Sequence, residues 1–233
     1  MTRLLPRAEI ALVLALLLAI AVAGNSPASG QRRGSPMETV APYVPTVENL
    51  IIAAVNDRVH EVEALLKLGM DPNIVGRDGM PVLVTASREG SARSVDVLLA
   101  AGAKVDQRNP FGDNALMLAA LKGHLDIVKK LLARGAVLES PGWTPLIYAA
   151  TGGHDAVVKY LLQVGANIEA TAPNGSTALM MAVREQQFST AELLMANGAN
   201  VNARNADGAT ALAWAERSGD QALVQRLKRA GAR

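Results

Sequence analysis

Few side chains in this sequence could do chemistry. There are three histidines, His60, His124 and His154, and no cysteine. His124 and His154 each follow a glycine, in Gly123-His124 and Gly153-His154. Two neutral imidazoles brought together can hold a divalent cation and activate a water, so a metal-dependent hydrolase is one reading of the pair. A structural use of both rings is the other. His60 reads as a solvated residue. The pairs Glu61/Glu63 and Glu89/Asp96 read as solvated helix faces. Asn200 to Gly208 (NVNARNADG) is a superficial match to a calcium loop but lacks the closing bidentate glutamate, so it reads as a turn. No G-x-S-x-G, Walker-type loop, dinucleotide fingerprint or H-E-x-x-H occurs in the sequence. Without cysteine, disulfide scaffolds, thiolate-bound zinc, iron–sulfur clusters and thiol nucleophiles are excluded. No catalytic constellation emerges, and no cofactor is expected.

Charge adds little to the list of ligands. Lys and Arg number 23 against 21 Asp and Glu, a formal net charge of +2. Nucleic acid is not an expected partner, because its binding needs a clustered basic surplus. Aromatic residues make up only 3% of the chain, and alanine and leucine dominate the apolar half. Both are strong helix formers, so the composition suits many short, closely packed helices.

The N-terminus reads as an export signal. Arg3 and Arg7 precede an apolar run from Ile10 to Ala23, which ends in the small-residue pattern Ala21-Val22-Ala23. The run is shorter than the ~18 to 20 apolar residues that comfortably span a bilayer. Residues 1–23 are therefore expected to be a signal peptide cleaved after Ala23. An uncleaved signal-anchor, making a membrane-tethered structural protein, is the alternative. Residues 24–45, rich in Gly, Ser and Pro, read as a flexible linker. Export without cysteines points to a periplasm. Removing the leader leaves the charge near neutral, so the mature form is not expected to bind membranes by electrostatics.

Glycine spacing then sets the fold. One series runs Gly69, Gly102, Gly135, Gly165, Gly198 and Gly231, with spacings of 33, 33, 30, 33 and 33. A second, Gly79, Gly112, Gly142, Gly175 and Gly208, is spaced 33, 30, 33 and 33. Both place one three-residue deletion in the same interval, between Gly135 and Gly142. A fixed period of this size marks stacked units that share a core. In the fourth unit, Thr144-Pro145 opens a short helix, Thr144 as cap and Pro145 at the first helical position. Gly153 breaks it, Asp155 to Gln163 forms a second helix, and Gly165 follows as a left-handed cap. The deletion is expected to shorten one hairpin and leave a notch in the row of hairpin tips.

The segments Gly142 to Ile168 (GWTPLIYAATGGHDAVVKYLLQVGANI), Asp113 to Ala136 and Gly198 to Ala203 resemble the ankyrin repeat. The resemblance implies an all-α solenoid of six helix-turn-helix units joined by β-turn or hairpin connections. The units run at about 46–78, 79–111, 112–141, 142–174, 175–207 and 208–233. It also implies that the His124 and His154 rings cap the turn between paired helices. The consensus histidine after Thr-Pro-Leu is replaced by Ile51, Val84, Met117, Ile147, Met180 and Ala213. Unit one lacks Thr-Pro and Gly-His, and unit six carries Gln221, Gln225, Arg226 and Lys228 on its last helix. These two read as the capping ends of the stack.

By the same resemblance, the function is a non-catalytic protein–protein interaction scaffold. It would bind another exported protein, as a monomer, through hairpin tips and the concave inner helices. Tip positions are read as Arg77, Asp78, Met80, Phe111, Asp113, Trp143, Asn174, Ser176 and Asp207. Inner positions are Arg88, Glu89, Leu121, Lys122, Arg184 and Glu185. Met80, Phe111 and Trp143 are expected to form an apolar anchor stripe flanked by Arg88 and Lys122, with Asp113, Leu121 and Arg184 nearby. The competing reading has Trp143 folding over the shortened hairpin and Phe111 packing locally. Tyr148 and Trp214 are assigned to packing between units.

Overall fold

The computed structural model describes residues 43–233, and the leader and most of the linker expected from the sequence lie outside them. Among the described residues there are twelve helices, seven to nine residues each, arranged as six antiparallel pairs. We label them α1 (Val47–Val55) and α2 (Val59–Lys67), α3 (Val82–Glu89) and α4 (Ala92–Ala100), α5 (Ala115–Lys122) and α6 (Leu125–Ala133). The remaining pairs are α7 (Pro145–Gly152) and α8 (Asp155–Gln163), α9 (Ala178–Arg184) and α10 (Phe188–Ala196), α11 (Ala211–Ser218) and α12 (Gln221–Arg229). First helices stack on first helices along the array, and second helices on second helices. The chain is an all-α repeat solenoid.

Five of the six first helices start where the sequence supplies a side-chain acceptor. Thr46, Asn114, Thr144, Thr177 and Thr210 each accept a hydrogen bond from the amide of the third residue on. That satisfies one of the amides a helix start leaves free. Pro81 makes no such cap at α3. The turn between paired helices needs a left-handed residue in every unit. Gly90, Gly123, Gly153 and Gly219 fill it, and in units one and five it is held by Asp57 (φ 53°) and Gln186 (φ 59°).

A single apolar core runs through all six units, from Leu50 to Ala232. Small residues at Ala119, Ala120, Ala149 and Ala150 are fully buried, which lets the first helices approach closely. Each fully buried Leu or Ile contributes about 1.5–3 kcal/mol relative to exposure, and no unit could bury its set alone. A polar ladder reinforces the stack. The amides of Lys104, Val137, Asn167, Asn200 and Arg233 donate to side-chain oxygens of Asn73, Asp106, Glu139, Glu169 and Asn202, at 2.7, 3.1, 2.9, 2.8 and 2.9 Å. Every rung joins one unit to the next.

The described residues ahead of the unit-one boundary at residue 46 join the stack. The Val44 carbonyl accepts from the Thr46 amide and the Asn49 side chain, and Tyr43 packs against the core. At the other end, Gln221, Gln225, Arg226 and Lys228 are exposed on α12, the polar outer face a terminal unit requires.

Candidate functional site

Between one unit's second helix and the next unit's first helix, the chain makes a projecting finger. Four fingers close in the same way. The Gly76 amide donates to the Met80 carbonyl, Asn109 to Asp113, Ala172 to Ser176, and Asn205 to Ala209, at 2.9–3.0 Å. Val75 pairs with Pro81 and Thr171 with Thr177 as isolated antiparallel bridges. In three of these fingers an asparagine shapes the turn: Asn109, Asn174 and Asn205 side chains accept from amides two residues on.

This geometry separates two positions that look alike in the sequence. The residue before the left-handed finger glycine points outward: Asp78, Phe111, Asn174 and Asp207 are exposed. The residue after it turns back toward the stack. Met80 and Ser176 sit there and are buried, Met80 at 6% exposure. Met80 is therefore not a tip anchor, and Ser176 is not a tip residue. The three-membered stripe also fails on register, because Phe111 occupies the outward position while Met80 and Trp143 share the inward one. Of the three, only Phe111 is exposed, at 70%. It does not pack locally.

The three-residue deletion shortens the finger between Phe111 and Asn174, which still reaches the finger after it but not the one before. Neighbouring fingers normally touch: a Cβ placed on Gly79 would lie 2.5 Å from the Pro110 ring, and one on Gly142 3.4 Å from the Pro173 ring. A Cβ on Gly112 meets nothing within 4 Å. The notch is thus an open flank on the Phe111 finger. Its floor is aromatic. Trp143 is half-buried against the core, with its ring 5.5 Å from that of Tyr148 at 47°. Trp143 thus packs inward, against Tyr148 and the core. The Tyr148 hydroxyl donates to Asp113, across from unit four to unit three. Burial and that bond to a carboxylate both push the Tyr148 hydroxyl well above the usual tyrosine range. Asp113 is therefore partly committed to holding the notch together.

The inner-helix candidates lie at the C-terminal ends of the first helices. Arg88 pairs with Glu89 at 2.7 Å and Arg184 with Glu185 at 2.8 Å. The Arg184 guanidinium also lies 5.9 Å from the centre of the Trp214 ring, which packs between units as expected. Leu121 is half-buried, and Lys122 is exposed at the end of α5. Opposite charges alternate along this row, so it has no single sign.

The histidines are spent elsewhere. His124 Nε2 lies 3.1 Å from the Arg88 carbonyl and His154 Nε2 2.8 Å from the Leu121 carbonyl. Ser91 Oγ donates to the Val55 carbonyl at 2.6 Å from the same register position. Each side chain ties its unit to the first helix of the unit before. The two rings face different carbonyls and do not converge on a shared point.

A family model described as ankyrin repeats (three copies) matches residues 83–172 and again residues 164–233. The chain belongs to the ankyrin-repeat family. Ankyrin repeats are generally protein–protein interaction modules, and the family is typically a non-catalytic scaffold. The matched segments start inside unit two. Unit one of this ankyrin array, with Asp57 at the glycine position and no Thr-Pro, lies ahead of them. The notch of the Phe111 finger is a departure from the even row of fingers that the other ankyrin units make.

Proposed function

We propose that the protein is a non-catalytic scaffold of the periplasm that binds another exported protein through its fingers and concave face. Phe111 is the principal anchor. The observation that carries this reading is a large aromatic, 70% exposed, at the rim of the one inter-finger flank that has no neighbour. Exposure of a phenylalanine costs solubility unless a partner covers it, and aromatic anchors beside a pocket dominate binding energy. The protein's own contacts indicate what fits the flank. Gly79 takes the Pro110 ring and Gly142 meets the Pro173 ring, so a proline-bearing turn of the partner suits the empty side of Gly112. Mixed charges at Arg88, Lys122 and Arg184 orient the partner, and binding depends only modestly on salt.

Periplasmic residence rests on Arg3, Arg7, the apolar run to Ala23 and the absence of cysteine. N-terminal sequencing of the exported protein checks it, with Gly24 expected as the first residue. The binding reading is tested by capture from a periplasmic extract with the wild-type protein, Phe111→Ala and the outer-helix control Lys159→Ala. Recovery of a defined partner should drop for Phe111→Ala alone. Equal recovery by all three proteins removes Phe111 from the role.

A further inference from the structure

Two asparagine–glycine bonds occur in the sequence, Asn174-Gly175 and Asn197-Gly198. This pair is the least hindered for attack of a backbone nitrogen on the neighbouring carboxamide, because glycine has no Cβ to crowd it. The fold sets the two bonds in different surroundings. Asn197 caps the C-terminal end of α10, and its Nδ2 donates to the Leu193 carbonyl at 2.7 Å, which draws the carboxamide back along the helix. Asn174 is exposed at a finger tip. Its Oδ1 accepts from the Ser176 amide at 3.1 Å, and its Nδ2 has no partner among the described residues. That hydrogen bond spans Gly175, so the carboxamide is folded over the Gly175 peptide. Both glycine amides are engaged, Gly175 with the Ala172 carbonyl at 2.8 Å and Gly198 with the Met195 carbonyl at 3.0 Å, so this restraint does not distinguish them.

We propose that Asn174-Gly175 is a site of spontaneous deamidation in the folded protein, and that Asn197-Gly198 is shielded from it. Freeing the Gly175 nitrogen requires only the finger turn to open, a local motion of an exposed loop. The nitrogen loses its proton to solvent base and bonds to Asn174 Cγ, and Nδ2 leaves as ammonia, closing a succinimide ring. The Ser176 amide stabilises the charge that develops on Oδ1 during the attack. Water then opens the ring on either side, so the sum is uptake of water and release of ammonia. Opening at Cγ gives aspartate. A carboxylate already serves at this tip position, since Asp78 Oδ1 accepts from the Met80 amide at 3.0 Å in the same register. Aspartate therefore keeps the turn and adds a negative charge to the finger. Opening at the main-chain carbonyl gives isoaspartate, whose backbone runs through Cγ. The Asn174 carbonyl, which accepts from the Ala206 amide at 2.9 Å, is then gone from the backbone, and the last finger loses its tie to this one. The site is independent of the Phe111 anchor.

The test follows the full chain in buffer at neutral and mildly alkaline pH, by mass spectrometry of tryptic peptides. Cleavage after Lys159, Arg184 and Arg204 puts the two sites on separate peptides, and isoaspartate is scored by enzymatic methylation of its free carboxylate. Acid product is expected to accumulate at Asn174 several-fold faster than at Asn197, and faster at the higher pH, because the glycine nitrogen must lose a proton. In denaturant the two rates are expected to converge, since the residue pair is the same. Asn174→Asp should unfold at the same denaturant concentration as wild type, and a loss of stability overturns the claim that aspartate keeps the turn. Equal rates in the folded chain, faster loss at Asn197, or a preference for Asn174 that survives in denaturant each overturns the proposal. So does an Asn174 that stays intact over the time in which the denatured chain converts.

Discussion

Tyr148 of α7 donates its hydroxyl to Asp113 of the preceding finger, beside the finger that the deletion shortens. The glycine flank of another finger is covered by its neighbour: Gly79 faces the Pro110 ring and Gly175 the backbone of Asn205 and Ala206. At the notch the half-buried Tyr148 phenol and the Asp113 carboxylate tie unit four to unit three. Tyr148→Phe keeps the ring against Trp143 but leaves Asp113 with only the Asn109 side-chain amide as donor, and is expected to cost about 1–2 kcal/mol. The pH dependence has a definite sign. The folded-state pKa of Tyr148 is raised, so its contribution is full below the unfolded tyrosine value of about 10 and is lost as pH rises above it. Absorbance titration should show Tyr148 remaining protonated above pH ~10, until the array opens. Ordinary titration of all the tyrosines in the folded protein would contradict this.

Asp57 fastens the first unit to the second. Its carboxylate accepts from the Ser94 amide at 2.7 Å and from Arg93 Nε at 2.8 Å, while its backbone holds the left-handed turn. Burial pushes its carboxyl up, but the hydrogen bonds from Arg93 and Ser94 more than offset that and leave it below the usual range. A depressed folded value gives stability that is present above the unfolded value of about 4 and fades as pH falls through the folded one. Hydrogen exchange in α1 and α2 is therefore expected to accelerate below pH ~4, before the central units respond. Asp57→Ala, which also places a non-glycine residue without a polar side chain in the left-handed turn, should bring that acceleration to neutral pH.

The solenoid was legible in the sequence because glycine spacing reports a backbone requirement that recurs in every unit. The position of the notch followed from the same spacing. The identity of the anchor did not, since Met80, Phe111 and Trp143 look alike as large apolar residues near a finger glycine. Which of them faces water depends on being before or after that glycine, and so on where the chain reverses. The inward position could have been suspected from its occupants alone, because Ser176 and Ala209 share it with Met80. The exposure of Ile52 was hidden for another reason, since by pattern it is an ordinary core residue like Leu118 and Met181 in the same register.

Phe111 and Trp143 should separate cleanly on truncation. Phe111→Ala removes a side chain that is mostly in water and is expected to change stability by less than about 0.5 kcal/mol. Trp143→Ala strips the floor of the notch and exposes Tyr148, at a cost of about 1–3 kcal/mol. Denaturant unfolding of the two variants checks the order. Comparable losses from both would mean that the Phe111 ring is packed in the free protein.

His154→Ala should behave as the loss of a structural tie. The Leu121 carbonyl loses its partner, and the variant is expected to lose about 1–2 kcal/mol. Since each ring faces its own carbonyl, neither added zinc nor a chelator should move the melting temperature of the wild type. A zinc-dependent rise that is abolished by His154→Ala would restore the metal reading.

Two glycines offer a direct probe of the shortened finger. Gly79 and Gly112 hold nearly the same left-handed conformation, at φ 78° and 88°. Alanine at either therefore carries a similar backbone penalty, about 1 kcal/mol. At Gly79 the new methyl also collides with the Pro110 ring, whereas at Gly112 it enters open space. Gly79→Ala is expected to be the more destabilising by a further ~1–2 kcal/mol. Adding Pro110→Ala should recover part of that excess. The order reverses for binding, because a methyl on the open flank of Gly112 occupies the site proposed for the partner's turn. Gly112→Ala should thus weaken capture of the partner more than Gly79→Ala does, at a smaller cost in stability. Equal stability losses at the two glycines would mean that the flank of Gly112 is already filled by the protein itself.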